Sequence, residues 1–156
     1  MQVYNDVYPS DANQIEALRE KGPEGPIFMV NLLKFKDRAE YEDGRATQLT
    51  GREAYQIYGR AVVDILPKFG GQAIFAADVS FLSLGRVEEL WDEVAIAAYP
   101  QRADMVRMSF SSEWREASVH RTAGLKGQLN IETVLPRENF RPDWLAGLVR
   151  EMQTKA

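Results

Sequence analysis

His120 is the one histidine among 156 residues, and its unperturbed pKa lies near neutrality, so it is the natural general acid or base of this chain. Arg121 beside it suits an anionic group of a substrate. Asn31 is the single uncharged polar residue of the apolar run IFMVNLLKF. An unpaired amide there would cost about 1 to 3 kcal/mol, so it must bond either to the protein or to a ligand. In the second case it can orient a carbonyl or stabilise a developing oxyanion. Tyr55 and Tyr58, three apart on one helix face, can aim two phenols at a sheet, and Trp91 and Tyr99, on one parity of an extended segment, can wall an aromatic-sized cavity. Together these residues suit proton transfer on a hydrophobic, oxygenated small molecule. His120 would shuttle the proton, Asn31 and a tyrosine would polarise the carbonyl, and Arg121 would orient the substrate. Each also has a structural reading: His120 as a helix C-terminal cap, Asn31 as a loop anchor, the aromatics as core or dimer contacts. A non-catalytic small-molecule-binding or structural module is therefore the alternative to an enzyme.

Composition removes other classes. Cysteine is absent, which excludes thiolate nucleophiles, disulfides and thiolate metal sites, and a single histidine excludes His-pair metal sites. No GxGxxG or GxxxxGK[ST] pattern occurs, so neither a nucleotide cofactor nor a metal is expected. The net charge is −4, with Lys and Arg dispersed rather than gathered into a stripe, so no nucleic-acid partner is expected. The chain lacks a leader pattern and an apolar run of membrane-spanning length, which points to the cytoplasm and to no membrane partner. With 45% hydrophobic and 27% charged residues, residues 1–156 are expected to form a single domain with a packed core.

The elements that must hold these side chains follow from periodicity. A short peripheral helix begins after Pro9, with Ser10 as its expected cap, and stops at Gly22-Pro23. Ile27 to Phe35 is apolar on both parities, as a strand covered on both faces should be. Residues 37–50 lack periodicity and are read as a loop long enough for a lid. Residues 51–69 form the clearest helix, with Tyr55, Tyr58, Val62, Ile65, Leu66 and Phe69 on one face and Gly70-Gly71 at its end. Strands are predicted at 72–77, continuing through 81–85, and at 91–99, the two forming an antiparallel hairpin. Helical segments at 101–108 and up to His120 precede a last strand, in which Leu125, Leu129, Ile131 and Thr133 alternate with a wet face of Lys126, Gln128, Asn130 and Glu132. A trailing helix at about 143–153 carries Trp144, Leu145, Leu148 and Met152. The order βαββαβ predicts an α+β, ferredoxin-like fold: a four-stranded antiparallel sheet with helices on one face and extra N- and C-terminal helices. The other sheet face needs a cover, and a second copy closing a dimeric α/β barrel is the simplest, making the protein its own partner as a homodimer.

The succession Gly25-Pro26, MVNLLKF at 29–35, GREAY at 51–55, Gly70-Gly71, WDEV at 91–94, YPQR at 99–102 and HRTAGL at 120–125 resembles the DUF1330 family of the dimeric α/β-barrel superfamily. The resemblance places the core at 23–135, with 136–156 as a C-terminal helical extension. Ser112-Glu113-Trp114 differs from the Ser-Pro-Glu-Tyr common in that family. The wider superfamily, as the resemblance implies, includes cofactor-independent monooxygenases, cyclases and isomerases as well as haem-handling members and sensors, so it fixes fold rather than chemistry.

Overall fold

The structure is a computed structural model that describes Asp6, Pro9 and residues 11–135 and 143–154. The expected cap Ser10 and the side chain of Trp144 lie outside the described residues. Asp11 caps the first helix, α1 (Ala12–Arg19), its side chain accepting from the backbone N–H groups of Asn13 and Gln14. As its thin apolar stripe predicts, α1 buries no residue.

Strands β1 (Ile27–Phe35), β2 (Gln72–Asp78), β3 (Glu93–Tyr99) and β4 (Leu125–Thr133) form one antiparallel sheet in the order β2-β3-β1-β4. The run apolar on both parities lies at the centre, as it must. Between β1 and β2 comes α2 (Gly51–Ile65), closed by a capping box in which Thr50 and Glu53 bond reciprocally. Pro67 does not extend this helix: Leu66–Phe69 tighten into a 3-10 turn that ends on Gly70 in the left-handed region, at φ 72°. Between β3 and β4 come α3 (Arg102–Ser109) and α4 (Ser112–Gly124), the latter capped by the Ser111 hydroxyl on the Trp114 amide. This is the ferredoxin-like βαββαβ arrangement predicted from the sequence.

Helices α2 and α4 bury their apolar sides on one sheet face. Ile27, Met29, Ile65, Leu66, Tyr99, Met108, Trp114 and Ala117 make one cluster, and Leu33, Phe35 and Leu125 continue it toward Tyr55. Full burial of side chains such as Ile27, Leu33, Leu66 and Leu125 stabilises the fold by about 1.5 to 3 kcal/mol each. The two helices meet at Gly51 and Gly124, where a Cβ on Gly51 would fall on the carbonyl oxygens of Lys36 and Gly124.

Three expectations need correction. Residues 81–85 form no strand; the segment between β2 and β3 is irregular and is closed by a bond from the Val79 amide to the Asp92 carbonyl. In β4 the pairing register shifts between Lys34 and Phe35, so Leu125 opposite Phe35 and Gln128 opposite Leu33 face the same side, toward the helices. Gln128 therefore points inward rather than lying on a wet face, while Leu129 and Ile131 stand 37% and 44% exposed on the outer face. Finally, helices do not occupy one face alone. Helix α5 (Asp143–Gln153) lays Leu145, Leu148, Val149 and Met152 on the outer face, over Phe28, Ala98, Ile74 and Ile96.

Residues 37–50 are irregular, as expected, but they are fastened to the helices. The Ala39 amide donates to the Leu49 carbonyl, the Glu40 amide to Ala123, and Ala39 is buried with Ala54 and Ala123. Among the described residues no helix is long and apolar enough to cross a membrane.

Candidate functional site

Three polar side chains cross the layer between sheet and helices. Asn31 on β1 donates from Nδ2 to the carbonyls of Met29 at 3.1 Å and Ala95 at 3.4 Å, and its Oδ1 accepts from Gln128 Nε2 at 2.7 Å. Gln128 Oε1 accepts from Arg121 Nε at 2.8 Å. Arg121, in the last turn of α4 and only 6% exposed, also donates from Nη2 to the main-chain carbonyl of Asp6 at 2.9 Å. Its Nη1 is buried and has no hydrogen-bond partner among the described residues. The amide of Asn31 thus sets Gln128, and Gln128 sets the guanidinium.

Tyr55 and Tyr58 of α2 stand against this relay, their ring centroids 5.4 Å apart, with Phe35 at 5.4 Å from Tyr55. Burial pushes both phenols up, and the nearby Arg121 charge opposes that rise only in part. Both therefore stay protonated and are not phenolate bases. Glu93, inward on β3, is also pushed up by burial, against the pull of Arg52, whose Nη1 lies 3.3 Å from Glu93 Oε2 and 2.5 Å from Asp78 Oδ1.

His120 is turned away from the relay. Its Nδ1 lies 2.7 Å from Tyr41 Oη on the 37–50 segment, the two rings meeting edge to face, and Arg45 covers the Tyr41 ring at 4.1 Å. Burial, aided by Arg45, lowers the imidazole pKa, so the ring is neutral at pH 7. Trp91 precedes β3 rather than belonging to it, and Tyr99 ends that strand, its hydroxyl 3.8 Å from Met108 Sδ. Both are buried, but a strand length separates them, so they do not wall one cavity. Burial pushes the Tyr99 phenol up as well.

The structure thus brings Asn31, Tyr55, Tyr58 and Arg121 together and sets His120, Trp91 and Tyr99 apart. Gln128 and Glu93 are what sequence reasoning missed. Glu93 shares its parity with Ala95, Ala97 and Tyr99, a signal that was present. Gln128 needed the β4 register shift, which no residue pattern announces. Two further arginines are taken by carboxylates of this chain: Arg102 grips Glu132 at 2.7 and 2.6 Å, and Arg107 pairs with Asp104. The open groove beside Lys34, Lys36 and Lys126 is balanced by Asp92, Glu40 and Glu89, which those lysines contact at 2.9, 2.8 and 2.7 Å. No group of three or more His, Cys, Asp or Glu side chains poised for a metal occurs among the described residues.

No protein-family model matches the chain. No curated protein matches it either. Among solved structures, RPA0582 of Rhodopseudomonas palustris, a protein of unknown function, superposes with a TM-score of 0.73 at 31% identity, over 89% of this chain and 100% of that one. The methylated RPA0582 protein superposes with a TM-score of 0.74 at 34% identity, over 86% of this chain and 98% of that one. A looser likeness, TM-score 0.48 at 12% identity over 70% of this chain and 96% of the other, is to a dimeric protein of unknown function and ferredoxin-like fold from Bacteroides fragilis. At 31% identity over the whole of RPA0582, and with the same fold, the chain belongs to the RPA0582 family.

Proposed function

We propose that this protein is a homodimeric small-molecule-binding member of the DUF1330 group, receiving a hydrophobic, oxygenated ligand in the layer between sheet and helices. The observation that carries the reading is the relay from Asn31 through Gln128 to Arg121, set among the Tyr55, Tyr58 and Phe35 rings. Core polar groups usually close on themselves; this chain of bonds ends in a buried Nη1 with no partner among the described residues, beside two protonated phenols.

The outer sheet face supports the dimer. Phe75, Ile96, Val30 and Ile131 align across the four strands, and Ala77, Val94, Leu32 and Leu129 form the next row. Helix α5 reaches Ile96 but leaves most of both rows uncovered, with Phe75 at 52% exposure. An exposed apolar face of this kind suits the same face of a second copy. The rim at Lys34 and Asp92 is charged, as interface rims are.

The test is a fragment screen of oxygenated aromatic compounds followed on the side-chain amide resonances of Asn31 and Gln128. Binders that shift both signals support the site. Binders that shift only outer-face residues, or none at all, overturn it.

A second reading, a cofactor-independent proton-transfer enzyme, draws on the 2.7 Å contact between Tyr41 and His120. With Nε2 carrying the ring proton, the phenol donates to Nδ1 and the pair is poised to relay a proton. His120→Gln abolishes turnover of an identified substrate on this reading, and unchanged turnover contradicts it.

A further inference from the structure

We propose that the ligand carries a carboxylate on a flat apolar body and that Arg121 is its receptor; this rests on the binding site proposed above. Partly buried arginines are normally neutralised, as Arg52 is by Asp78 and Glu93 and Arg102 by Glu132. Arg121 is more buried than either, yet among the described residues it meets only neutral oxygens, the Gln128 amide and the Asp6 carbonyl, and forms no ion pair. Its position in the last turn of α4 eases the burial of positive charge through the helix dipole but gives Nη1 no acceptor.

A guanidinium without a counter-charge among the described residues is costly to bury in an apolar layer. A carboxylate supplies both missing elements, the counter-charge and an acceptor for Nη1. A point anion would satisfy Arg121 alone. The surrounding Tyr55, Tyr58 and Phe35 rings favour an anion attached to an aromatic or comparably flat group, and the protonated phenols can bond its oxygens without repelling them.

Benzoate and its neutral isostere benzamide are the probes, read by thermal unfolding of the full-length protein and by the Arg121 Nε–Hε resonance. Benzoate is expected to raise Tm in a concentration-dependent way and to shift that resonance, and benzamide to do neither at equal concentration. Arg121→Met is expected to bind benzoate at least about tenfold more weakly, since a charged hydrogen bond is lost. Should that variant not fold, the wild-type resonance decides alone. If benzamide binds and shifts the Asn31 and Gln128 amides while benzoate does not, the site stands and the carboxylate falls. If neither probe shifts those amides or Arg121, both fall. Equal benzoate affinity in Arg121→Met also overturns the proposal.

Discussion

Nε of Arg121 donates to Oε1 of Gln128 at 2.8 Å, tying the last turn of α4 to β4 across the core. Gln128→Leu removes that acceptor and strands a second guanidinium N–H. The variant is expected to lose about 1.5 to 3 kcal/mol, the usual worth of a hydrogen bond to a charged group. Urea unfolding measures it, and a cycle with Asn31→Leu is expected to show positive coupling because Asn31 acts on Arg121 only through Gln128. Additive losses would mean that the three side chains do not form a relay.

The fold was legible because its signals are local. The doubly apolar IFMVNLLKF run and the 3.6-residue face of α2 each dictate an element by themselves, and the order of elements then leaves one simple topology. Asn31, Tyr55 and Tyr58 were also readable, as polar groups on faces that had to be buried, whereas Arg121 was singled out only by its place beside His120. Gln128 was not, since a one-residue register shift turned it inward. His120 was readable as chemistry but not as position: one helical step from Arg121 rotates it onto the 37–50 segment, a consequence of packing that spacing alone does not reveal.

Gly51 and Gly124 place the backbones of α2 and α4 in contact, each occupying the space a Cβ of the other would need. Gly51→Ala and Gly124→Ala are each expected to destabilise by about 1 to 3 kcal/mol or more through overpacking. Gly59→Ala, where nothing lies within 4 Å, is the control and is expected to be neutral or slightly stabilising. Denaturant midpoints distinguish these outcomes.

Stability is expected to depend on pH through His120. Its folded pKa lies below the unfolded value near 6.5, so the unfolded chain binds the proton more readily. The stabilising contribution is complete above about pH 6.5 and is lost as pH falls through the lower folded value. His120→Gln is expected to flatten the wild-type slope between about pH 7 and 5. Because this is the one histidine in the chain, a single imidazole resonance followed by NMR gives the folded pKa directly.

Leu32 and Ile131 lie in neighbouring rows of the outer face. Leu32→Asp and Ile131→Lys each place a charge where a second sheet would pack, and each is expected to yield a monomer by sedimentation equilibrium. The wild-type Tm is expected to rise with protein concentration and that of the variants to be independent of it. Wild-type and variant chains of equal mass in solution would contradict the dimer.

Native mass spectrometry of gently purified wild-type protein tests the account most directly, because one spectrum reports both assembly and retained ligand. The expected species is a dimer of the 17.7 kDa chain carrying a defined additional mass that fragments as an organic acid. A bare monomer would contradict the account.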